Sequence, residues 1–286
     1  GAWAVEFNPK DAYSIKSGTQ YATTTEASDN DDGAFSTTYK MSATAESFVL
    51  NGSDTDGWTI KSISTNKWLG RKAGNTGWNV GNLEASWDIA STTSTQILRH
   101  GDTKGIKVGS SKMYHDGSGS DLVTFDFTKT HQNVTITFKA SGSSVGTTDG
   151  WVALGATVEN LAKANAPEGY RLAAATFATV EDGNYDYVVE VEAGVNWVAK
   201  AQTIYEAVSV ATGCVGSYNA TAEQIANLKT AIDNNDNDAC KTLVEAIGEK
   251  IAFDNKTVYA VKNVNTNQYL RAMDDMLLWA KSGLTY

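Results

Sequence analysis

A mainly β, multidomain chain is predicted by three observations. A pattern of short strands recurs at intervals of nearly forty residues, helical spacing takes over after residue 194, and the first pattern returns near the C-terminus. Internal repeats are read first, because a missed repeat misassigns the whole fold.

The repeat is clearest at the ends of its units, Phe48-Val49-Leu50, Trp87-Asp88-Ile89 and Phe125-Asp126-Phe127. The leading aromatic residues stand at 48, 87 and 125, so the intervals are 39 and 38 residues. Each triplet is apolar at its first and third positions, the period of a half-buried strand. Unit starts agree: Tyr13-Ser14-Ile15-Lys16-Ser17, Trp58-Thr59-Ile60-Lys61-Ser62 and Gln96-Ile97-Leu98-Arg99. Second strands are expected at Tyr21-Ala22, Trp68-Leu69 and Ile106-Lys107-Val108. Third strands are expected at Phe35, Trp78-Asn79-Val80 and Met113-Tyr114-His115. Three units of four short strands, separated by Gly, Asn, Asp, Ser and Thr, indicate a β domain of pseudo-threefold symmetry over residues 1–130.

On these residues, about 8–130 resembles the β-trefoil, in its ricin-type lectin-like branch. The resemblance implies a secreted carbohydrate-binding module. In that family a sugar site carries Gln two residues before the closing Trp; here those positions hold Glu46, Ala85 and Val123, a departure from the pattern.

Beyond residue 130, Val134-Thr135-Ile136-Thr137-Phe138 alternates and opens a small β-rich connecting domain over 131–193, Ig-like or grasp-like. Strands are expected near Trp151–Val158, Arg171–Val180 and Tyr185–Val191, with a short helix near Val158–Ala164. Over 194–252, a three-helix unit is predicted. Val198, Ala201, Ile204, Tyr205, Val208 and Ala211 share one helical face. Thr221-Ala222-Glu223-Gln224 is a capping box, ahead of a helix burying Ile225, Leu228 and Ile232. Asp233–Asp238 is a turn, and Cys240, Leu243, Val244, Ile247 and Ile251 line the third helix. Ala260–Leu270 then matches Thr59–Leu69 without a gap, and the same offset pairs Trp279 with Trp78. Residues 253–286 are therefore expected to begin a second, partial trefoil, and the native protein to continue past Tyr286.

The net charge of −10 disfavours nucleic acid or anionic membrane as partner, since phosphate contacts need clustered Lys and Arg. No apolar run reaches the roughly 20 residues that span a bilayer. Abundant Thr, Ser, Asn and Gly favours a secreted or cell-surface protein. Asn51, Asn133, Asn219 and Asn255 head glycan-acceptor sequons, which matter only in a eukaryotic secretory host.

No catalytic constellation, cofactor motif or metal site is predicted. Gly142-Ser143-Ser144-Val145-Gly146 fits G-x-S-x-G, but a nucleophile elbow needs a helix directly after it and a later His, and the last His is His131. His100, His115 and His131 lack metal-ligand spacing. The runs Asp29–Gly33, Asp54–Gly57 and Asp233–Asp238 fail the EF-hand positions and read as Asx turns and helix caps. Cys214 and Cys240 either pair as a disulfide or remain two buried thiols; a bond would be worth roughly 3 kcal/mol.

Trp58, Trp68 and Trp87 are expected in the core. Trp78 sits on a third strand, near where a trefoil lectin offers an aromatic face to a sugar. Asn66, Asn75, Asn79 and Asn82 could take the hydroxyls; packing between hairpins is the other reading of Trp78. The expected function is non-catalytic glycan or glycoprotein binding in adhesion. Two alternatives stand beside it: an accessory region of a secreted glycosidase or peptidase whose catalytic domain lies elsewhere, and a structural spacer.

Overall fold

A computed structural model describes residues 5–29, 36–72, 77–173, 176–209, 218, 220–249, 266, 268–272 and 278–281. The protein is mainly β and forms two compact units, residues 1–162 with 174–189 and residues 163–173 with 190–286. Among the described residues no helix is long and apolar enough to cross a membrane.

The first unit opens with β1 (Asp11–Ser17), β2 (Gln20–Asp29), β3 (Ser36–Ser42) and β4 (Phe48–Ser53). Next come β5 (Gly57–Ser62), β6 (Gly70–Arg71), β7 (Val80–Gly81) and β8 (Trp87–Ile89). The third group is β9 (Ile97–Arg99), β10 (Gly105–Gly109), β11 (Lys112–Gly117) and β12 (Asp126–Ala140). Phe35, expected to lie on a third strand, is outside the described residues.

Six of these strands close on themselves. Tyr13 of β1 faces Phe48 of β4, and β4 pairs with β5 along its length. Trp58 of β5 faces Trp87 of β8, and Asp88 of β8 faces Leu98 of β9. A bridge between Thr95 and Phe125 joins the third group, and Phe127 of β12 returns to Ile15 of β1. Closure leaves no open edge within that circuit.

The remaining strands form three hairpins, β2–β3, β6–β7 and β10–β11, that meet one another. Lys112 bridges to Lys40, and Asn79 bridges to Tyr114. Thr38 Oγ1 lies within hydrogen-bond reach of two carbonyls, Met113 O at 2.6 Å and Val80 O at 3.3 Å. One buried hydroxyl of the first hairpin thus ties down the other two.

Packing explains the repeat. Phe48, Trp87 and Phe125 are buried at equivalent places, with Leu50, Ile89 and Phe127 two residues on. Ile15, Ile60 and Ile97 join the same core from the unit starts. Each such side chain contributes about 1.5–3 kcal/mol of transfer free energy. The Trp87 indole N–H donates to Leu69 O at 2.9 Å, so even its polar edge is satisfied. Trp68 departs from expectation. It is half-buried, with the Lys61 ammonium 4.7 Å above its ring, and the core position beside it belongs to Leu69.

The boundary expected after residue 130 falls inside β12, which runs unbroken out of the six-strand circuit. Val134, Ile136 and Phe138 are buried in the alternation the sequence shows. β13 (Ser143–Ala153) pairs back on β12 through a two-residue turn at Ser141 and Gly142, with φ of 50° and 82°. Both angles are positive, as a type I′ hairpin turn requires. The G-x-S-x-G stretch is this turn and the strand after it; no helix follows it directly. The expected short helix is α1 (Glu159–Asn165). It precedes β14 (Tyr170–Leu172) and β15 (Asp186–Ala193).

In the second unit, α2 (Trp197–Ser209), α3 (Ala222–Asp233) and α4 (Asn237–Ile247) share a core of Val198, Ala201, Ile204, Leu228, Ile232 and Cys240. The capping box forms in full: Gln224 N donates to Thr221 Oγ1 at 3.1 Å and Thr221 N to Gln224 Oε1 at 2.8 Å. Asp236 caps α4 by accepting from Ala239 N at 2.9 Å. Burial pushes the Cys240 thiol up to about 11. Cys214 lies outside the described residues. β16 (Tyr269–Ala272) and β17 (Leu278–Lys281) form an antiparallel hairpin where the restarted pattern predicts one.

Candidate functional site

The site is built around Trp78. Gly77 before it has φ of 101°, a conformation that favours glycine, and turns the chain into the second hairpin. The Trp78 carbonyl accepts from His115 N at 2.6 Å, so the third hairpin fixes the backbone that carries the indole. The ring meets the His115 imidazole edge-on, with centroids 5.9 Å apart. The Arg99 guanidinium lies 5.2 Å and the Lys104 ammonium 5.3 Å from the indole centroid. Trp78 nevertheless stays 48% exposed.

Beside it opens a cleft of about 330 Å³ lined by Trp78, Asn79, Tyr114, Asp116, Lys107 and Asp29, together with Val108 and Gly109. Asp116 pairs with Lys107 at 3.1 Å and stays partly exposed. Asp29 has a fully buried side chain and accepts from Tyr114 OH at 3.2 Å and from Asn79 Nδ2 at 3.1 Å. Lys112 stands 3.6 Å away as its counter-charge. The cleft therefore offers two aromatic rings, a carboxylate and an ammonium between two hairpins.

The expected hydroxyl ligands do not gather there. Asn79 lines the cleft but is fully buried, its Nδ2 spent on Asp29, Ser36 and Thr37. Its Oδ1 is buried without a hydrogen-bond partner among the described residues, an acceptor left for a water or a ligand hydroxyl. Asn82 accepts from Trp68 N at 2.8 Å and lines a different cleft, of about 260 Å³. Asn66 holds a turn at φ of 58°. Asn75 lies outside the described residues. The cleft beside Trp78 is lined instead by Tyr114, Asp116 and Lys107 of the third hairpin. An available signal was the Tyr114-His115-Asp116 stretch, an aromatic residue followed two positions later by an acid at the equivalent strand.

His115 supports the site from beneath. Burial, aided by the positive charges of Arg99 and Arg71, pushes its pKa down to about 4. It is therefore a neutral imidazole at pH 7, packed against Trp78 and Trp87. Its Nδ1 is buried without a hydrogen-bond partner. His100 bonds Asp88 at 2.6 Å and His131 lies beside Thr130, so the three histidines occupy separate places. Among the described residues no group of three or more His, Cys, Asp or Glu side chains is arranged to hold a metal ion. The Asp54–Gly57 run forms the β4–β5 turn, with Asp56 accepting from Ser53 Oγ and Asp54 from the Trp58 indole.

No family model matches this sequence, and no curated protein matches it.

Proposed function

We propose that residues 8–130 form a lectin-like β-trefoil that binds saccharide in the Trp78–Tyr114 cleft, within a secreted, non-catalytic adhesion protein. The six-strand circuit with its three mutually bonded hairpins supports the fold reading. The observation that carries the function is the exposure of Trp78 on a backbone pinned by His115. An indole that only packed hairpins together would be buried like Trp87. A half-exposed, rigidly held ring beside Asp116, Lys107 and Tyr114 matches what a pyranose needs. Its C–H face stacks on the aromatic ring, while fixed acceptors and donors take the hydroxyls.

This site differs from the family pattern that places Gln before the closing Trp. It lies between the second and third hairpins and uses the third repeat's acid. A glycan-array screen of the full chain, beside Trp78→Ala, tests the reading. Saccharide hits that vanish in a folded Trp78→Ala protein support it. A blank array from folded wild-type protein contradicts it and shifts weight to the accessory-region and spacer readings.

A further inference from the structure

We infer that the saccharide bound at Trp78 is anionic, with its carboxylate or sulfate seated against Arg71, Arg99 and Lys104. The inference rests on the sugar-binding reading and specifies the class of sugar. The chain as a whole carries a net charge of −10, yet the surroundings of Trp78 gather cations. Arg99 and Lys104 stand 5.2 and 5.3 Å from the indole centroid. Arg99 also lines a second cleft of about 410 Å³, together with Arg71, Ser86 and His100.

The local carboxylates do not use up this charge. Asp102 lies 3.4 Å from Arg99 Nε, and Asp116 is taken by Lys107. His100 is directed onto Asp88. Glu84 lines the Arg71 cleft and Asp102 accepts from the Lys104 backbone N–H at 3.1 Å, but among the described residues neither the Arg71 guanidinium nor the Lys104 ammonium has a carboxylate within 4.0 Å. Both are exposed. Arg99 and Arg71 also add to the effect of burial in depressing the His115 pKa.

A neutral sugar would use Trp78 and the cleft and leave Arg71 and Lys104 idle. A sugar bearing a carboxylate or sulfate would stack its ring on the indole and bring its charge toward Arg99 and Lys104, which stand 5.2 and 5.3 Å from the ring centroid, with Arg71 lining the same cleft as Arg99. The planar guanidinium fork can hold two oxygens of a carboxylate or a sulfate at once.

The test titrates the full chain with three hexasaccharides: one of galacturonate, one sulfated, and one of uncharged galactose. The expected result is binding of an acidic hexamer and at least tenfold weaker binding of the neutral one. Arg71→Gln/Lys104→Gln should weaken the acidic ligand about tenfold, and added salt should weaken it further. Which acidic hexamer binds identifies the group as carboxylate or sulfate. Equal binding of the neutral hexamer, unchanged in the double variant, overturns the inference and leaves the saccharide reading standing. Acidic binding that survives Trp78→Ala but not the double variant overturns both, because the site would then be a bare anion patch. Failure of all three hexamers and of the wider array also overturns both.

Discussion

Tyr114 donates its hydroxyl to Asp29 Oδ1 at 3.2 Å, joining the third hairpin to the end of β2 across 85 residues of chain. Asn79 of the second hairpin donates to the other oxygen of the same carboxylate. One buried charge therefore holds together the three elements that form the Trp78 cleft, with Lys112 as its partner. Removing one member of a buried ionic cluster leaves the others unpaired in a low-dielectric place. Asp29→Ala is expected to destabilise the protein by about 2–4 kcal/mol and to loosen the cleft. Denaturant unfolding measures the first, and the loss of saccharide affinity the second.

Two tryptophans should behave oppositely. Trp87→Ala empties a fully buried site and strands the Leu69 carbonyl, at a cost of about 3–5 kcal/mol. Trp78→Ala removes a half-exposed ring and should cost less than about 1 kcal/mol, mostly through lost cation–π contact. Parallel thermal or denaturant unfolding of the two variants checks this.

His115 makes stability depend on pH in a definite direction. Its imidazole titrates near 6.5 when unfolded and near 4 in the fold, so the unfolded chain takes up the proton first. The stabilisation is fully present above about pH 6.5. It is lost as pH falls from there toward 4, up to about 3 kcal/mol in total. His131, also depressed by burial, acts in the same direction. The signature of His115 is therefore the part of the acid slope that disappears in His115→Gln, read from unfolding free energies between pH 4 and 7.

At the start of α3, Thr221→Ala should cost about 1 kcal/mol, since it removes the hydroxyl that accepts from Gln224 N and breaks the capping box. Fluorescence of Trp197, in the same helical unit, can follow unfolding of that unit.

What could be read from the sequence was whatever depends on local period. The triplets at Phe48, Trp87 and Phe125, the alternation in β12, and the capping box at Thr221 are local signals, and each element stands where its pattern placed it. The candidate site was only half accessible. Trp78 was identifiable as an aromatic residue on a third strand, but the full burial of Asn79 beside it was not. Adjacent residues of an extended segment face opposite ways, so an exposed Trp78 should have sent Asn79 inward. Asp29 was hidden for a different reason. It heads an acidic run that reads as an Asx turn, and its burial depends on partners at positions 79, 112 and 114. Contacts across that much chain have no local signature. Trp68 and Leu69 show the same limit, because neighbouring apolar residues do not reveal which one the core takes.

The central claim is that Trp78 forms the saccharide-binding surface. The most direct measurement is calorimetric titration of the strongest array ligand into wild type, Trp78→Ala and Asp116→Asn, with folding checked by circular dichroism. Affinity should fall beyond about tenfold in Trp78→Ala and by a smaller factor in Asp116→Asn, with both proteins folded. Unchanged affinity in a folded Trp78→Ala protein would contradict the account.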